Sequence, residues 1–259
     1  MRVVTGWDEI TARAINEIES VGIFSVRRRP QLAITSKLRT IERPRDLAPF
    51  IEHTQLRPEA TYQSVIKLCA EATENNFRGV CVNPAFVKDA KARLLGTNCL
   101  LVIVVGFPLG ANLSSTKAQE TKAVVEAGAD EVDMVIPIGI LKSGDYKRAF
   151  EDIRTVVEAA GHIPVKVILE MALLDEYQKV MGCLLAERAG AAFVKTSTGF
   201  ASGGATVEDV LLMKGLVGGR MAIKAAGGIR DFESARALVE AGADRLGCSS
   251  SVAIVSGSA

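Results

Sequence analysis

Histidine is scarce in this 259-residue chain: His53 and His162 are the only two, and they lie far apart. No HExxH stretch or cysteine cluster accompanies them, so no metal centre is expected and no cofactor is implied. Cysteine is modest, at five residues (Cys69, Cys81, Cys99, Cys183, Cys248) with no CxxC pair. An odd number of thiols in apolar segments fits small core residues of a reduced compartment. Charge of one sign is absent in excess. The formal net charge is +1, which excludes an electrostatic platform for nucleic acid or an anionic membrane. The single basic run, Arg27-Arg28-Arg29, reads as a solvated turn before Pro30. No apolar run reaches membrane-spanning length, and no signal-peptide core opens the chain. A cytoplasmic protein is expected. There is no Walker loop, no Gly-x-Ser-x-Gly, and no Gly-x-Gly-x-x-Gly after the first strand run.

What is present is a rhythm. From about residue 46, apolar runs of strand length alternate with helix-patterned segments. The runs are Phe50–Leu56, Gly79–Val82, Cys99–Phe107, Glu131–Ile136, Val165–Glu170, Phe193–Ser197, Met221–Ala225 and Arg245–Cys248. They are continuously apolar rather than alternating, as in a parallel sheet covered on both faces. Eight such units predict an α/β fold, a (β/α)8 barrel over residues 46–259. Residues 1–45 stand apart: Trp7, Ile10, Ala14, Ile18 and Val21 recur at helical spacing, which predicts an amphipathic helix packed on the barrel, then irregular sequence to about Pro44.

A faint repeat runs through the units. Ala127-Gly128-Ala129, Ala189-Gly190-Ala191 and Ala241-Gly242-Ala243 each close a helix and open a strand. Aligned on these triplets, Asp133, Lys195 and Gly247 fall at one depth of strands four, six and eight. Side chains from alternate barrel strands share a layer, so Asp133 and Lys195 are expected to approach each other. Lys224 ends the neighbouring seventh run. A free lysine has a pKa near 10.4, so roughly one in a few thousand is a nucleophilic amine at pH 7. A second ammonium and desolvation drive that value down, which is how a Schiff-base lysine is prepared. Asp133 is placed to move protons. Each residue alone is better explained otherwise: a lysine at a strand end usually snorkels to solvent, and a lone aspartate is usually structural. The three together point to chemistry. Lys166 pairs with a neighbouring acid or lines the pocket, and Glu170 lines the mouth or is structural. His53 is read as structural.

Gly227-Gly228-Ile229-Arg230 follows strand seven, and Gly247-Cys248-Ser249-Ser250-Ser251 follows strand eight. Turns of this kind at these two strands form phosphate sites in barrels.

Six ordered segments resemble deoxyribose-phosphate aldolases: Ile51–Pro58, Gly79–Pro84, Val105–Gly110, Gly128–Asp133, Phe193–Gly199 and Lys224–Arg230, within a match running from about Ile51 to Val255. The resemblance implies metal-independent, reversible cleavage of 2-deoxy-D-ribose 5-phosphate to D-glyceraldehyde 3-phosphate and acetaldehyde. It implies Lys195 as the Schiff-base lysine, Lys224 as the lysine that perturbs it, and Asp133 as the acid/base. Gly199, Gly227, Gly228, Ser249 and Ser250 match phosphate-loop positions. Thr54, Cys81, Lys166 and Thr196 are expected to line the pocket. Glu52 stands where some relatives have Asp, and Phe200 where some have a lysine near the phosphate. The expected partners are the sugar phosphate, the aldehyde and further copies of the chain, as a dimer or tetramer, with residues 1–45 as packing or a dimer contact. Two other readings stay open: another Schiff-base or transaldolase-like barrel acting on a different sugar phosphate, and a sugar-phosphate-binding barrel without turnover.

Overall fold

In the computed structural model, which describes residues 5–24 and 41–258, eight parallel strands close into a barrel in sequence order. They are β1 (Ile51–Gln55), β2 (Gly79–Val82), β3 (Leu100–Val105), β4 (Glu131–Val135), β5 (Val165–Ile168), β6 (Phe193–Lys195), β7 (Ala222–Ala226) and β8 (Arg245–Cys248). The ring is sealed where Glu52 of β1 registers with Gly247 of β8. Seven of the eight predicted runs contain their strand, and the seventh run, Met221–Ala225, starts one residue early and stops one residue short of Ala226; most runs are longer than the strand they mark. Phe50 lies in a 310 turn (Pro44–Phe50) that precedes β1, and Thr196, Ser197 and Glu170 lie beyond their strands. All four are as buried as strand residues, so composition alone does not mark the boundary.

Helices cover the outside. α1 (Thr5–Ser20) precedes the barrel. α2 (Tyr62–Glu74), α3 (Val87–Leu94) and α4 (Ser114–Glu126) follow β1, β2 and β3. β4 is followed by α5 (Ile138–Lys142) and α6 (Tyr146–Ala160). α7 (Glu176–Arg188), α8 (Val207–Val217), α9 (Phe232–Ala241) and α10 (Ser251–Ser256) complete the ring. The capping chemistry is local. Thr61 accepts from the Ser64 N–H at the start of α2, and Asp231 accepts from the Ser234 N–H at the start of α9, satisfying backbone donors that a helix start leaves free. On α6, Phe150, Ile153, Val157 and Ala160 are all buried, the stripe that the 3.6-residue period places on one face. The three repeated glycines, Gly128, Gly190 and Gly242, all have positive φ (108°, 85° and 119°), so each turns the chain out of a helix in a conformation that side chains disfavour.

α1 lies against α7. Ala14 and Ile18 are fully buried there, Tyr177 donates its hydroxyl to Glu17, and Arg13 sits 4.7 Å above the Tyr177 ring. Val21 is 38% exposed and not part of the packed face, because the helix ends at Ser20. The Arg27–Arg29 run lies outside the described residues. Between α4 and α6 the fold buries an ion pair that no motif announces: Lys117 donates to Asp152 at 2.7 Å and to the Val135 carbonyl at 2.9 Å. Among the described residues no helix is long and apolar enough to cross a membrane.

Candidate active site

The strand register decides which side chains share a level inside the barrel. Asp133 of β4 pairs with Lys166 of β5, which pairs with Phe193 of β6. Followed round the barrel, the offset that accumulates equals the number of strands, so residues at one level climb by one position per strand. The even strands therefore contribute Cys81, Asp133, Lys195 and Gly247 to one layer. The odd strands contribute Glu52, Val102, Lys166 and Lys224 to the layer beneath. Below that lie Gly79, Glu131, Phe193 and Arg245. The interior is lopsided. Leu56, Cys81, Val102 and Val104 form a small apolar cluster on the β1–β3 side, with Phe107 against it, and nearly all the charge comes from the opposite side.

That charge is a single buried network. Lys195 and Lys224 each donate to Oδ2 of Asp133 at 2.7 Å, and Lys166 donates to Oδ1 at 2.9 Å. Lys224 also pairs with Glu52. Lys166 pairs with Glu131 at 2.6 Å and Glu52 at 3.5 Å. Arg245 lies 3.6 Å from Glu52 and 3.7 Å from Glu131. With every group ionised, Lys166, Lys195, Lys224 and Arg245 face Glu52, Glu131 and Asp133, and the part-buried Arg78 interacts with Glu52 and Glu131 from the edge of the cluster, so cations outnumber carboxylates. Lys195 is the least compensated of these cations. Among the described residues its only carboxylate is Asp133, shared with two other ammoniums, so that contact does not offset burial, and Lys224 adds repulsion. Its pKa is lowered below the ordinary lysine value, burial being the largest cause. Lys224 is equally buried, but Asp133 and Glu52 together outweigh its desolvation and raise it. Lys166 is raised for the same reason. Asp133 is buried too, yet Lys166, Lys195 and Lys224 hold it well below the carboxylate range.

Gly247 keeps this arrangement possible. A Cβ there would stand 2.9 Å from the Ala226 Cβ and 3.2 Å from Cε of Lys224. The Lys224 stem thus occupies space that any other residue in that layer would fill.

Above the network opens a pocket of about 310 Å3. Lys195 is on its wall, with Thr54, Gln55, Leu56 and Arg57 from the end of β1, Thr198, Gly199 and Phe200 after β6, Ala226 to Arg230 after β7, and Gly247, Cys248 and Ser249 at β8. Of the residues expected to bind phosphate, Gly199, Gly227, Gly228 and Ser249 line it. Ser250 does not, because it is already the residue that starts α10. Of the expected pocket-lining residues only Thr54 is on the wall. Cys81 and Lys166 are fully buried below it, and burial pushes the Cys81 thiol up to about 11. Thr196 is also fully buried. Its hydroxyl bonds both the C=O and the N–H of Ala226 at 3.0 Å, clamping β6 to β7 beneath the pocket. Asp133 and Lys224 reach the wall only through Lys195. His53 faces away from the barrel interior, its ring nitrogens 2.9 Å from Ser251 and 3.0 Å from Glu71.

Arg57 and Arg230 are the cations the motifs did not single out. Both are exposed and line the pocket. The available signal was positional: each lies a few residues beyond the carboxyl end of a strand, Arg57 after β1 and Arg230 after β7. Glu52, Glu131 and Arg245 were also missed as a group. They look like isolated charges within separate strand runs, and only barrel closure brings them together.

A family model for DeoC/LacD family aldolases matches residues 47–256. The chain is similar to the deoxyribose-phosphate aldolase of Thermotoga sp. (strain RQ2), 55% identical over 212 residues that cover 82% of this chain and 86% of that one. Among solved structures, it is similar to a protein of Coccidioides immitis provisionally assigned as a deoxyribose-phosphate aldolase, with a TM-score of 0.82, 35% identity, and coverage of 100% and 99% of the two chains. It is also similar to the deoxyribose phosphate aldolase of Aeropyrum pernix, described as a tetramer, with a TM-score of 0.77, 30% identity and 96% of each chain covered.

Proposed function

The chain belongs to the DeoC/LacD family of aldolases, and on that premise we propose that it cleaves 2-deoxy-D-ribose 5-phosphate reversibly to D-glyceraldehyde 3-phosphate and acetaldehyde through an imine on Lys195. The observation that carries this reading is Lys195 itself. It is a lysine 2% exposed, with a lowered pKa, on the wall of a pocket rimmed by glycine turns.

In the cleavage direction the neutral Lys195 amine adds to the C1 aldehyde carbon of the open-chain sugar. Asp133, 2.7 Å from both Lys195 and Lys224, lies where protons shared with Lys224 can be delivered to the carbinolamine oxygen, which leaves as water. The protonated imine is an electron sink. As the C3 hydroxyl loses its proton, the C2–C3 bond breaks, its electron pair becomes the enamine, and glyceraldehyde 3-phosphate departs. Protonation at C2 and hydrolysis then release acetaldehyde and regenerate the amine. The backbone N–H groups of Gly199, Gly227 and Gly228, the Ser249 hydroxyl, and the cations Arg57 and Arg230 are assigned to the 5-phosphate. They hold C1 over Lys195, where binding energy converts into orientation.

The test is chemical trapping. Borohydride added with acetaldehyde should leave a reduced adduct on Lys195, found by peptide mass spectrometry, and Lys195→Leu should abolish both adduct and cleavage. An unmodified Lys195 in an active preparation would sink the imine. Profiling other sugar phosphates separates this substrate from that of a transaldolase-like enzyme. Self-association is proposed as well, supported by the tetrameric Aeropyrum pernix relative, with light scattering as its check. A cytoplasmic location is proposed from the five free, buried cysteines.

A further inference from the structure

Glu170 is buried, titratable and unused by the mechanism above. It follows β5 by two residues and has φ 56° and ψ 60°. Among the described residues only Asn76 shares with it a positive φ outside glycine. This left-handed conformation is unfavourable for any residue with a side chain, and asparagine tolerates it better than glutamate. A glutamate kept where glycine fits more easily points to its carboxylate as the reason.

The backbone on both sides of Glu170 is tied to the segment that carries Lys195. The Leu169 N–H donates to the Lys195 carbonyl at 3.0 Å, and the Met171 N–H to the Thr196 carbonyl at 2.9 Å. The side chain then reaches the turn after β6. Oε2 accepts from the Thr198 N–H at 3.2 Å and from the Thr198 hydroxyl. That hydroxyl oxygen in turn accepts from the Phe200 N–H at 3.0 Å. Two of the three N–H groups of Thr198-Gly199-Phe200 are thereby consumed inside the protein. The Gly199 N–H is left without an acceptor among the described residues, at a residue with φ 85° on the pocket wall.

We infer that Glu170 is a positioning residue: through Thr198 it holds the Thr198–Phe200 turn in the shape that offers the Gly199 N–H to the 5-phosphate. The role rests on the assignment of this pocket to a sugar phosphate. It is geometric rather than electrostatic, since a carboxylate close to a phosphate gains nothing by its charge. Any group with an acceptor oxygen in the same place therefore serves.

The experiment compares kcat/KM for 2-deoxyribose 5-phosphate and for unphosphorylated 2-deoxyribose in the full chain and in Glu170→Gly, Glu170→Gln and Thr198→Val. Glycine is at ease at φ 56°, so Glu170→Gly removes the carboxylate without backbone strain. Thr198→Val breaks the relay from the other side, should the first variant fail to fold. Both are expected to lose about tenfold or more on the phosphorylated sugar, mostly in KM, as for a misplaced donor to a charged group. Glu170→Gly, at a position off the pocket wall, should stay within about twofold on the unphosphorylated one, and both variants should keep borohydride trapping of acetaldehyde on Lys195. Glu170→Gln should retain most of the phosphate preference. Equal losses on both sugars, no loss on either, or a Glu170→Gln as impaired as Glu170→Gly would overturn the inference. A wild-type chain that fails to trap acetaldehyde would instead overturn the aldolase reading, which separates the two failures.

Discussion

Lys195 and Lys224 stand side by side on β6 and β7, paired in register, and place both ammonium nitrogens 2.7 Å from one oxygen of Asp133. They share that oxygen unequally. Lys224 has Glu52 as a second carboxylate and Lys195 has none, so burial lowers one pKa while the carboxylates raise the other. One cation of the pair is built to lose its proton and the other to keep it.

Lys224→Leu is therefore expected to shift the pH profile. In the native cluster the Lys195 amine is neutral above a lowered pKa, so kcat/KM should rise with pH through that value and then level. Removing Lys224 deletes a repulsive cation and frees Asp133 for Lys195, and both changes raise the Lys195 pKa. The acid limb should move to higher pH, with a loss at pH 7 of about tenfold for each pH unit the limb moves. A limb that stays in place with only its height reduced would mean that Lys224 acts on the substrate and not on Lys195.

Asp133→Asn should damage stability as well as turnover. The folded-state pKa of Asp133 lies well below its value in the unfolded chain. Its contribution is therefore present above about pH 4 and lost as pH falls through the folded value. Asparagine removes the charge at every pH and leaves three buried lysines short of a carboxylate. Breaking a buried pair this way costs about 3 kcal/mol or more, a fall of roughly 10 °C in Tm for a chain of this size. Calorimetry at pH 7 measures it. The gap between variant and native protein should narrow as the pH is lowered toward the folded pKa of Asp133.

Gly247→Ala tests the packing of the site with no charge changed. The new methyl would press on Ala226 and on the Lys224 stem at 2.9 and 3.2 Å. A displaced Lys224 should lower kcat by about tenfold or more, since small misplacements at a reacting centre carry large rate effects. Thermal unfolding should shift by only about 1–3 kcal/mol, as for mild overpacking. Native kcat in this variant would mean the Lys224 position is not critical.

Arg57→Ala and Arg230→Ala should act on binding alone. Both side chains are exposed on the pocket wall, so folding should be unaffected. KM for the phosphorylated sugar should rise severalfold to about tenfold, and less so at high salt, which screens exposed charge. The unphosphorylated sugar should react to neither substitution. A similar rise in KM for both sugars would remove the arginines from the phosphate site.

Some of this site could be read before any coordinates. The Ala-Gly-Ala repeat put Asp133 and Lys195 at one depth of strands four and six, because each triplet marks the same corner of a unit of nearly constant length. The barrel register places them in one layer, and they touch. The apolar runs located all eight strands, since strands covered on both faces cannot hide their composition. The runs could not say where pairing stops. Nor could they give depth: Thr196, Cys81 and Lys166 were expected on the pocket wall, and barrel closure buries all three beneath it.

By itself the sequence determined the alternation of strand and helix, the placing of a lysine, a second lysine and an aspartate near strand ends, and the glycine turns above them. These are local properties, carried by periodicity and by the conformational freedom of glycine. Only the tertiary structure decided the charge balance. Glu52, Glu131, Lys166 and Arg245 come from β1, β4, β5 and β8, and each is an ordinary charge until closure of the barrel removes water from all of them at once. Which lysine then gives up its proton depends on how many carboxylates each can reach through a medium of low dielectric, and that is set by distances across the barrel interior, not by neighbours along the chain.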